Sequence, residues 1–237
     1  MTKDAGFIGV LMLDTAFPRI RGDAGNPESY PMPVQVRRVA GADVPLIVRG
    51  AAPDAAMIQQ FIDAAQELEA QGAVGIITTC GFLAHAQTGL AQGVHCPVLA
   101  SALSLGPMVR AMTGGRRLGI LTADAGAMSA ALLAAAGLSA EEVAIAGMED
   151  SPIWQRLILA PKTEQASTLD PDEIGALAEE RARALMAAHP DLGAILLECA
   201  NLPPYAERIR TATGLPVFHI LQAAQMLWAS ALDLDRV

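Results

Sequence analysis

Cys80 and Cys199 are the residues of this 237-residue sequence whose types and positions best indicate chemistry. Each follows a short apolar run typical of a buried strand, Gly75–Thr79 in one case and Ala194–Glu198 in the other. The next Pro-Val pair begins 17 residues after the cysteine in both places. Because ligands bind at the carboxyl ends of strands in parallel sheets, this repeat predicts a site with two thiols.

Two thiols on either side of one carbon atom can invert a stereocentre next to a carboxylate. One thiolate removes the α-proton while the opposite thiol delivers a proton, and the roles exchange in the reverse reaction. A free thiol has a pKa of about 8.5, so the base needs nearby donors such as the N–H groups of a strand-to-helix turn. The sequence has no G-x-G-x-x-G after a strand and no Walker lysine, so we expect no cofactor. The third cysteine, Cys96, precedes a strand and is expected to be structural, and the four scattered histidines predict no metal site.

The elements that must position the two cysteines also repeat along the chain. Strands and helices alternate, and Ile8–Leu11 resembles Leu118–Leu121. The pattern predicts an α/β fold of two pseudo-symmetric α/β units with mainly parallel sheets and the active site in the cleft between them. Short strands are also predicted at Val34–Val39 and Val44–Val48. The predicted division is residues 1–100 plus 215–237 for the first α/β domain, which carries Cys80, and residues 101–214 for the second, which carries Cys199.

Composition excludes several classes of protein. Hydrophobic residues make up 52% of the chain and charged residues only 17%, which excludes a disordered or coiled-coil protein. A net charge of −9 argues against nucleic acid and anionic membranes as partners. Residues 70–109 carry no Asp, Glu, Lys or Arg, but glycines and a proline interrupt them, which indicates strand, loop, helix and strand rather than a membrane span. Because the first residues lack a secretory n-region, we expect a cytoplasmic protein. Its surplus of apolar residues suits a homodimer or higher homo-oligomer, and the expected partner is a small-molecule substrate.

These features resemble the aspartate/glutamate racemase superfamily, which includes hydantoin racemases, maleate cis–trans isomerases and arylmalonate decarboxylases. The resemblance covers the two halves, the cysteine after a central strand in each, and a closing segment that returns to the first domain. It implies a cofactor-independent enzyme in which Cys80 and Cys199 form an acid/base pair. It also implies that Asp14 and Thr15, after the first strand, and Thr122, in the second half, bind substrate.

The sequence departs from the pattern of glutamate and aspartate racemases beside both cysteines. Those enzymes typically have Cys-Asn-Thr and Cys-Thr-His, whereas this chain has Cys-Gly-Phe at residues 80–82 and Cys-Ala-Asn at 199–201. The donors that hold an amino-acid carboxylate are therefore missing after Cys80, and Phe82 favours a less polar substrate. His219, at the end of the next strand, is expected to fill a polar role similar to that of the missing histidine.

Charged residues near the two cysteines complete the predicted site. Arg19 or Arg21, in the long loop after the first strand, is suited to bind a carboxylate because guanidinium pairs with it bidentately. Glu198 orients the Cys199 thiol or raises its pKa. The predicted site comprises catalytic Cys80 and Cys199; substrate-binding Asp14, Thr15, Arg19, Thr79, Gly81, Phe82, Thr122 and Asn201; supporting Glu198 and His219; and no metal.

The predicted function is that of an isomerase: a cofactor-independent racemase or epimerase acting at the α-carbon of a small carboxylate or amino-acid-like substrate, a hydantoin included. Arylmalonate-type decarboxylases need only one of the two cysteine positions, so the presence of both favours racemisation or isomerisation. The alternatives are a maleate-type cis–trans isomerase with a nucleophilic cysteine and a non-catalytic ligand-binding member of the fold.

Overall fold

Two four-stranded parallel sheets form the centre of the molecule in the computed structural model, which describes residues 6–231. The strand orders are β2-β1-β3-β4 and β6-β5-β7-β8, with every neighbouring pair parallel. The predicted fold of two parallel α/β units is therefore confirmed, while predictions about residues 1–5 and 232–237 lie outside the described residues. The strands are β1 (Phe7–Met12), β2 (Val34–Arg38), β3 (Ala73–Thr78), β4 (Val98–Leu99), β5 (Arg117–Thr122), β6 (Val143–Gly147), β7 (Leu192–Leu197) and β8 (Val217–Phe218).

Helices flank the sheets, as the burial of the central strands on both faces requires. Helix α6 continues directly into a π-helical turn at Gln155–Leu159, and a 3-10 turn at Gly81–Ala86 precedes α3. The helices are α1 (Val44–Ile47), α2 (Ala55–Ala70), α3 (Gln87–Gly93), α4 (Gly106–Met112), α5 (Ala130–Ala135), α6 (Pro152–Trp154), α7 (Pro171–Ala188), α8 (Ala206–Thr213) and α9 (Ile220–Ala231).

The two units repeat the same packing in detail. Strands β1 and β3 pair in the same register as β5 and β7, including an irregularity at the first residue of each pairing. Gly9 of β1 and Gly119 of β5 occupy matching positions. A Cβ atom at Gly9 would lie 3.0 Å from Leu68 of α2, and one at Gly119 would lie 3.2 Å from Leu185 of α7. Glycine at these positions allows a helix to pack closely against the central strand of each unit.

Of the two short strands predicted after the first loop, one prediction is wrong. Val34–Val39 matches β2, but Val44–Val48 forms α1 instead of a strand. Asp43 caps this helix by accepting a hydrogen bond from the Val44 N–H (2.8 Å), and Pro45 suits its first turn. Capping and proline geometry therefore outweigh the β-branched composition of this segment.

The return of the chain to the first unit takes place later than predicted. Strand β8 pairs with β7 in the second sheet, so Val217 and Phe218 do not belong to the first unit. Helix α9 makes the return and packs against β3 and β1, with Leu227 against Gly75. The rest of the predicted domain division stays a prediction.

The uncharged segment 70–109 forms β3, the turn after it, α3, β4 and part of α4. Between residues 6 and 231, no helix is both long and apolar enough to cross a membrane.

Candidate active site

The carboxyl ends of the four central strands, β1, β3, β5 and β7, surround one cavity. Both units contribute to its walls, and both Cys80 and Cys199 reach it. The cavity is lined by Leu13, Thr15, Phe17, Arg19, Val44, Val48, Thr79, Cys80, Gly81, Phe82, Ala123, Ile158, Glu198, Cys199 and Asn201.

Cys80 lies where β3 ends and the 3-10 turn begins. Its backbone N–H donates to Thr78 Oγ1 (3.2 Å), and the same hydroxyl donates to the Ala100 carbonyl (2.6 Å), which fixes the end of the strand. Burial raises the pKa of the Cys80 thiol, and the negative charge of Glu198 raises it further. The N–H groups of Phe82 and Leu83 at the start of the turn act in the opposite direction, because they stabilise a thiolate.

Cys199 occupies the equivalent position after β7. Its Sγ donates to Asn201 Oδ1 (3.4 Å), and Asn201 Nδ2 in turn donates to Asp23 Oδ2 (2.6 Å). Burial and then the Glu198 charge raise the pKa of the Cys199 thiol well above its ordinary value. The second thiol therefore donates to a side-chain oxygen, whereas the first lies against two backbone N–H groups.

Glu198 is a buried residue of the cavity wall that directly precedes Cys199 and lies against Gly81, the residue after Cys80. Its Oε2 accepts from Thr122 Oγ1 (2.7 Å) and from the Ala123 N–H (3.4 Å), while its Oε1 has no hydrogen-bond partner among the described residues. Burial raises the pKa of this carboxyl to about 7. A Cβ atom at position 81 would collide with Oε1, so Gly81 provides the space that Glu198 fills. The departure from the Cys-Asn-Thr motif thus has a structural reason.

Arg19 reaches the cavity from the loop that follows β1. Its Nη2 donates to Thr15 Oγ1 (2.8 Å), its Nη1 donates to Asp23 Oδ1 (2.7 Å), and the guanidinium lies 4.6 Å from the Phe17 ring centroid. Arg21, the other candidate in this loop, is exposed and is not part of the cavity wall. Among the residues that line the cavity, Arg19 is the one with a cationic side chain, and both of its Nη atoms donate hydrogen bonds within the protein.

Three predicted site residues lie outside the cavity wall. The Asp14 carboxylate accepts from Lys162 Nζ (2.6 Å) and from the Gly41 N–H (3.1 Å), and the bond from Lys162 lowers its pKa. Thr122 is fully buried and holds Glu198. His219 follows β8, and burial lowers its pKa to about 4. Asp14 and His219 do not line the cavity, so their predicted roles in binding substrate and supporting the cysteines stay predictions. Thr122 affects the cavity through Glu198, to which its hydroxyl donates.

Sequence reasoning missed the apolar walls and one carboxylate. Val44 and Val48 lie in a segment whose composition predicts a strand, and Ile158 lies in the π-helical turn of a segment that has no clear periodicity. Asp23 is buried and binds Arg19 and Asn201. Its position in a long loop rich in Gly, Pro and Asn was a signal of function, but nothing local indicates its partner 178 residues away.

A sequence profile of the Asp/Glu/hydantoin racemase family matches residues 27–227. This chain belongs to that family. It is 29% identical to a dimethylsulfoniopropionate lyase of Durusdinium sp. clade D over 97% of its own length and 76% of that protein. It is 31% identical to dimethylsulfoniopropionate lyase 7 of Emiliania huxleyi (strain CCMP1516) over 97% of this chain and 68% of that protein.

Solved structures of other enzymes share the fold. Unliganded arylmalonate decarboxylase superposes with a TM-score of 0.58 at 18% identity, covering 95% of this chain and 92% of that chain. Allantoin racemase from Klebsiella pneumoniae superposes with a TM-score of 0.59 at 14% identity, covering 94% and 86%. The family of this chain is described by its racemases, and the two sequence relatives near 30% identity are lyases rather than the predicted isomerases.

Proposed function

We propose that this protein is a cofactor-independent lyase that removes the α-proton of a small carboxylate and expels a leaving group from the β-carbon, with dimethylsulfoniopropionate as substrate. The observation that carries the chemistry is the convergence of Cys80 and Cys199 on one cavity at the strand ends. The choice of reaction is supported by the full-length similarity to dimethylsulfoniopropionate lyases.

The reaction needs one base and no cofactor. The Cys80 thiolate takes the α-proton, and the electron pair of that C–H bond forms the double bond between the α- and β-carbons. The bond from the β-carbon to sulfur breaks, and its electron pair stays on sulfur. The products are neutral dimethyl sulfide, acrylate and a proton that leaves from Cys80.

The cavity offers groups of opposite sign for a zwitterionic substrate. Arg19 is the partner for the carboxylate, whose negative charge increases as the α-proton departs. The aromatic rings of Phe17 and Phe82 attract a sulfonium cation by the ring quadrupole, and Glu198, whose pKa burial raises to about 7, adds a negative charge when it is ionised. The largely apolar remainder of the wall keeps water away and strengthens both interactions.

Racemisation at an α-carbon, the reaction predicted from the sequence, is the second candidate. It begins with the same proton abstraction, and the presence of a second thiol, Cys199, in the same cavity favours it. It differs in the fate of the carbanion, which receives a proton from the opposite thiol instead of losing a β-substituent.

Product analysis separates these candidates. The purified protein is incubated with dimethylsulfoniopropionate, and dimethyl sulfide and acrylate are measured by gas and liquid chromatography. We expect equal amounts of the two products, and a loss of about 100-fold or more in rate for Cys80→Ser, which removes the base of the elimination. Cys96→Ser is the matched control, because Cys96 lies outside the cavity wall and should retain the rate.

Two outcomes would contradict the lyase. Solvent deuterium exchange at the α-carbon of amino acids or hydantoins in D₂O, without release of dimethyl sulfide, would support the racemase. Binding of these compounds without exchange or elimination would support a ligand-binding protein.

A further inference from the structure

Asp23 holds a buried position between the loop after β1 and the turn that carries Cys199. The residue is 3% exposed, and its Oδ1 accepts from Arg19 Nη1 (2.7 Å) and from the Gly25 N–H (2.7 Å). Oδ2 accepts from Asn201 Nδ2 (2.6 Å). The Ala24 N–H also donates to the Ala200 carbonyl (3.1 Å), so backbone and side chain together join the loop of one unit to the turn of the other.

This carboxylate determines which end of the Asn201 amide faces Cys199. An ionised carboxylate only accepts hydrogen bonds, so the NH₂ end of the amide must point to Asp23. The amide oxygen then points to Cys199 Sγ, 3.4 Å away, where it accepts from the thiol. The reversed amide would place its oxygen against the carboxylate and leave the thiol without an acceptor.

The surroundings of the two cysteines consequently differ. Cys199 faces an amide oxygen, the carboxylates of Glu198 and Asp23, and one backbone N–H, that of Asn201. An acceptor and two negative charges favour the protonated thiol.

Cys80 faces the same Glu198, but it also faces two backbone N–H groups, those of Phe82 and Leu83, and the positive charge of Arg19. Donors and a positive charge favour the thiolate.

We propose that Asp23 is a positioning residue that keeps the amide oxygen of Asn201 on Cys199. Cys199 therefore stays protonated as a thiol, and Cys80 is the thiolate base of the pair. A racemase must let its two sulfurs exchange roles in each direction of the reaction. An unequal pair suits a reaction that runs one way from a single base, such as elimination. Which of the two thiols is the more acidic is a property of the free protein. The role of Asp23 rests on the proposed lyase function only where this difference in acidity is used in catalysis.

Cysteine alkylation measures the relative acidity of the two thiols without any substrate. The protein is treated with iodoacetamide across a pH series, and the peptides that contain Cys80 and Cys199 are quantified separately by mass spectrometry. We expect alkylation of Cys80 to become half-maximal at a lower pH than that of Cys199. In Asp23→Asn, whose amide no longer fixes that of Asn201, the Cys199 rate is expected to rise about tenfold and the Cys80 rate by less than about twofold. Asp43→Asn, which replaces a carboxylate at the cap of α1, is the control and should change neither rate.

A second variant separates orientation from charge. If Asp23 acts through Asn201, Asp23→Asn should change the Cys199 rate little in an Asn201→Ala background. A tenfold effect that persists in this background would show that Asp23 acts by charge alone and would overturn the proposal, as would a Cys199 thiol more acidic than that of Cys80. If Asp23→Asn does not fold, Asn201→Ala alone must raise the Cys199 rate. If Cys80 proves to be the more acidic thiol but the protein has no lyase activity, the proposed function is contradicted and the role of Asp23 is not.

Discussion

The wild-type protein is expected to lose stability as the pH rises, because Glu198 becomes ionised. Replacing Glu198 by glutamine should abolish this pH dependence. Burial raises the pKa of this carboxyl from 4.5 to about 7 in the folded protein. The folded state therefore binds a proton more tightly than the unfolded chain. The favourable contribution of the protonated group is complete below pH 4.5 and is lost as the pH rises through about 7.

The magnitude follows from the two pKa values. At 1.36 kcal/mol per pKa unit, ionisation of Glu198 lowers the free energy of unfolding by about 3 kcal/mol in all. Part of this is already lost at pH 5, so about 2 to 3 kcal/mol is expected between pH 5 and pH 8. Glutamine keeps an oxygen for the Thr122 hydroxyl and places its NH₂ beside Gly81. An amide without a partner there costs about 1–3 kcal/mol, but it does so equally at every pH.

Urea unfolding at several pH values between 5 and 8 measures the effect. The quantity of interest is the free energy of unfolding of the wild type minus that of Glu198→Gln, which should fall by about 2 to 3 kcal/mol across the series. The pH dependence due to His219 is present in both proteins and cancels in this difference. Glu180→Gln, an exposed position on α7, is the control and should give a constant difference.

Parallel pH curves for wild type and Glu198→Gln would refute this reasoning. They would mean that Glu198 is ionised in the folded protein at little cost, and that its burial beside two cysteines does not favour the protonated form.

Two further substitutions test neighbouring parts of the structure. His219→Gln should reduce the loss of stability on acidification, because burial lowers the pKa of His219 from 6.5 to about 4 and the wild type loses stability as the pH falls through that interval. In urea unfolding, the free energy of unfolding should drop between pH 7 and pH 4.5 by about 2–3 kcal/mol less in the variant than in the wild type. An equal drop in both proteins would contradict this. Gly81→Ala should destabilise the protein by about 1–3 kcal/mol in urea at pH 7, since its methyl group collides with the Glu198 carboxylate. The same cost in a Glu198→Ala background would exclude that collision as the cause.

Much of the fold could be predicted because it is encoded in local patterns. The apolar runs before Cys80 and Cys199 formed β3 and β7, and their equal spacing reflected a repeated unit. The two glycines at positions 9 and 119 marked matching contacts with a helix in each unit. Most of the residues next to the cysteines, including Thr79, Gly81, Phe82 and Asn201, do line the cavity, because strand ends place their neighbours at one edge of a sheet.

Side-chain partners were the part that local patterns could not predict. Asp14 follows β1 as the family resemblance implies, yet its carboxylate binds Lys162 of the second unit instead of facing the cavity. His219 follows β8, but it does not line the cavity. Val44–Val48 has the composition of a strand, and only the cap at Asp43 and the tertiary contacts of that region made it a helix.

The sequence by itself determined the two thiols, the parallel strands that carry them and the edge of the sheets at which they lie, because hydrophobic periodicity and spacing specify backbone elements. Tertiary structure alone decided that Glu198 fills the space beside Gly81 and that Asp23 orients the amide next to Cys199. These contacts join residues more than a hundred positions apart, on different units. Their energies depend on how two separately encoded units pack, which no local pattern in either unit contains.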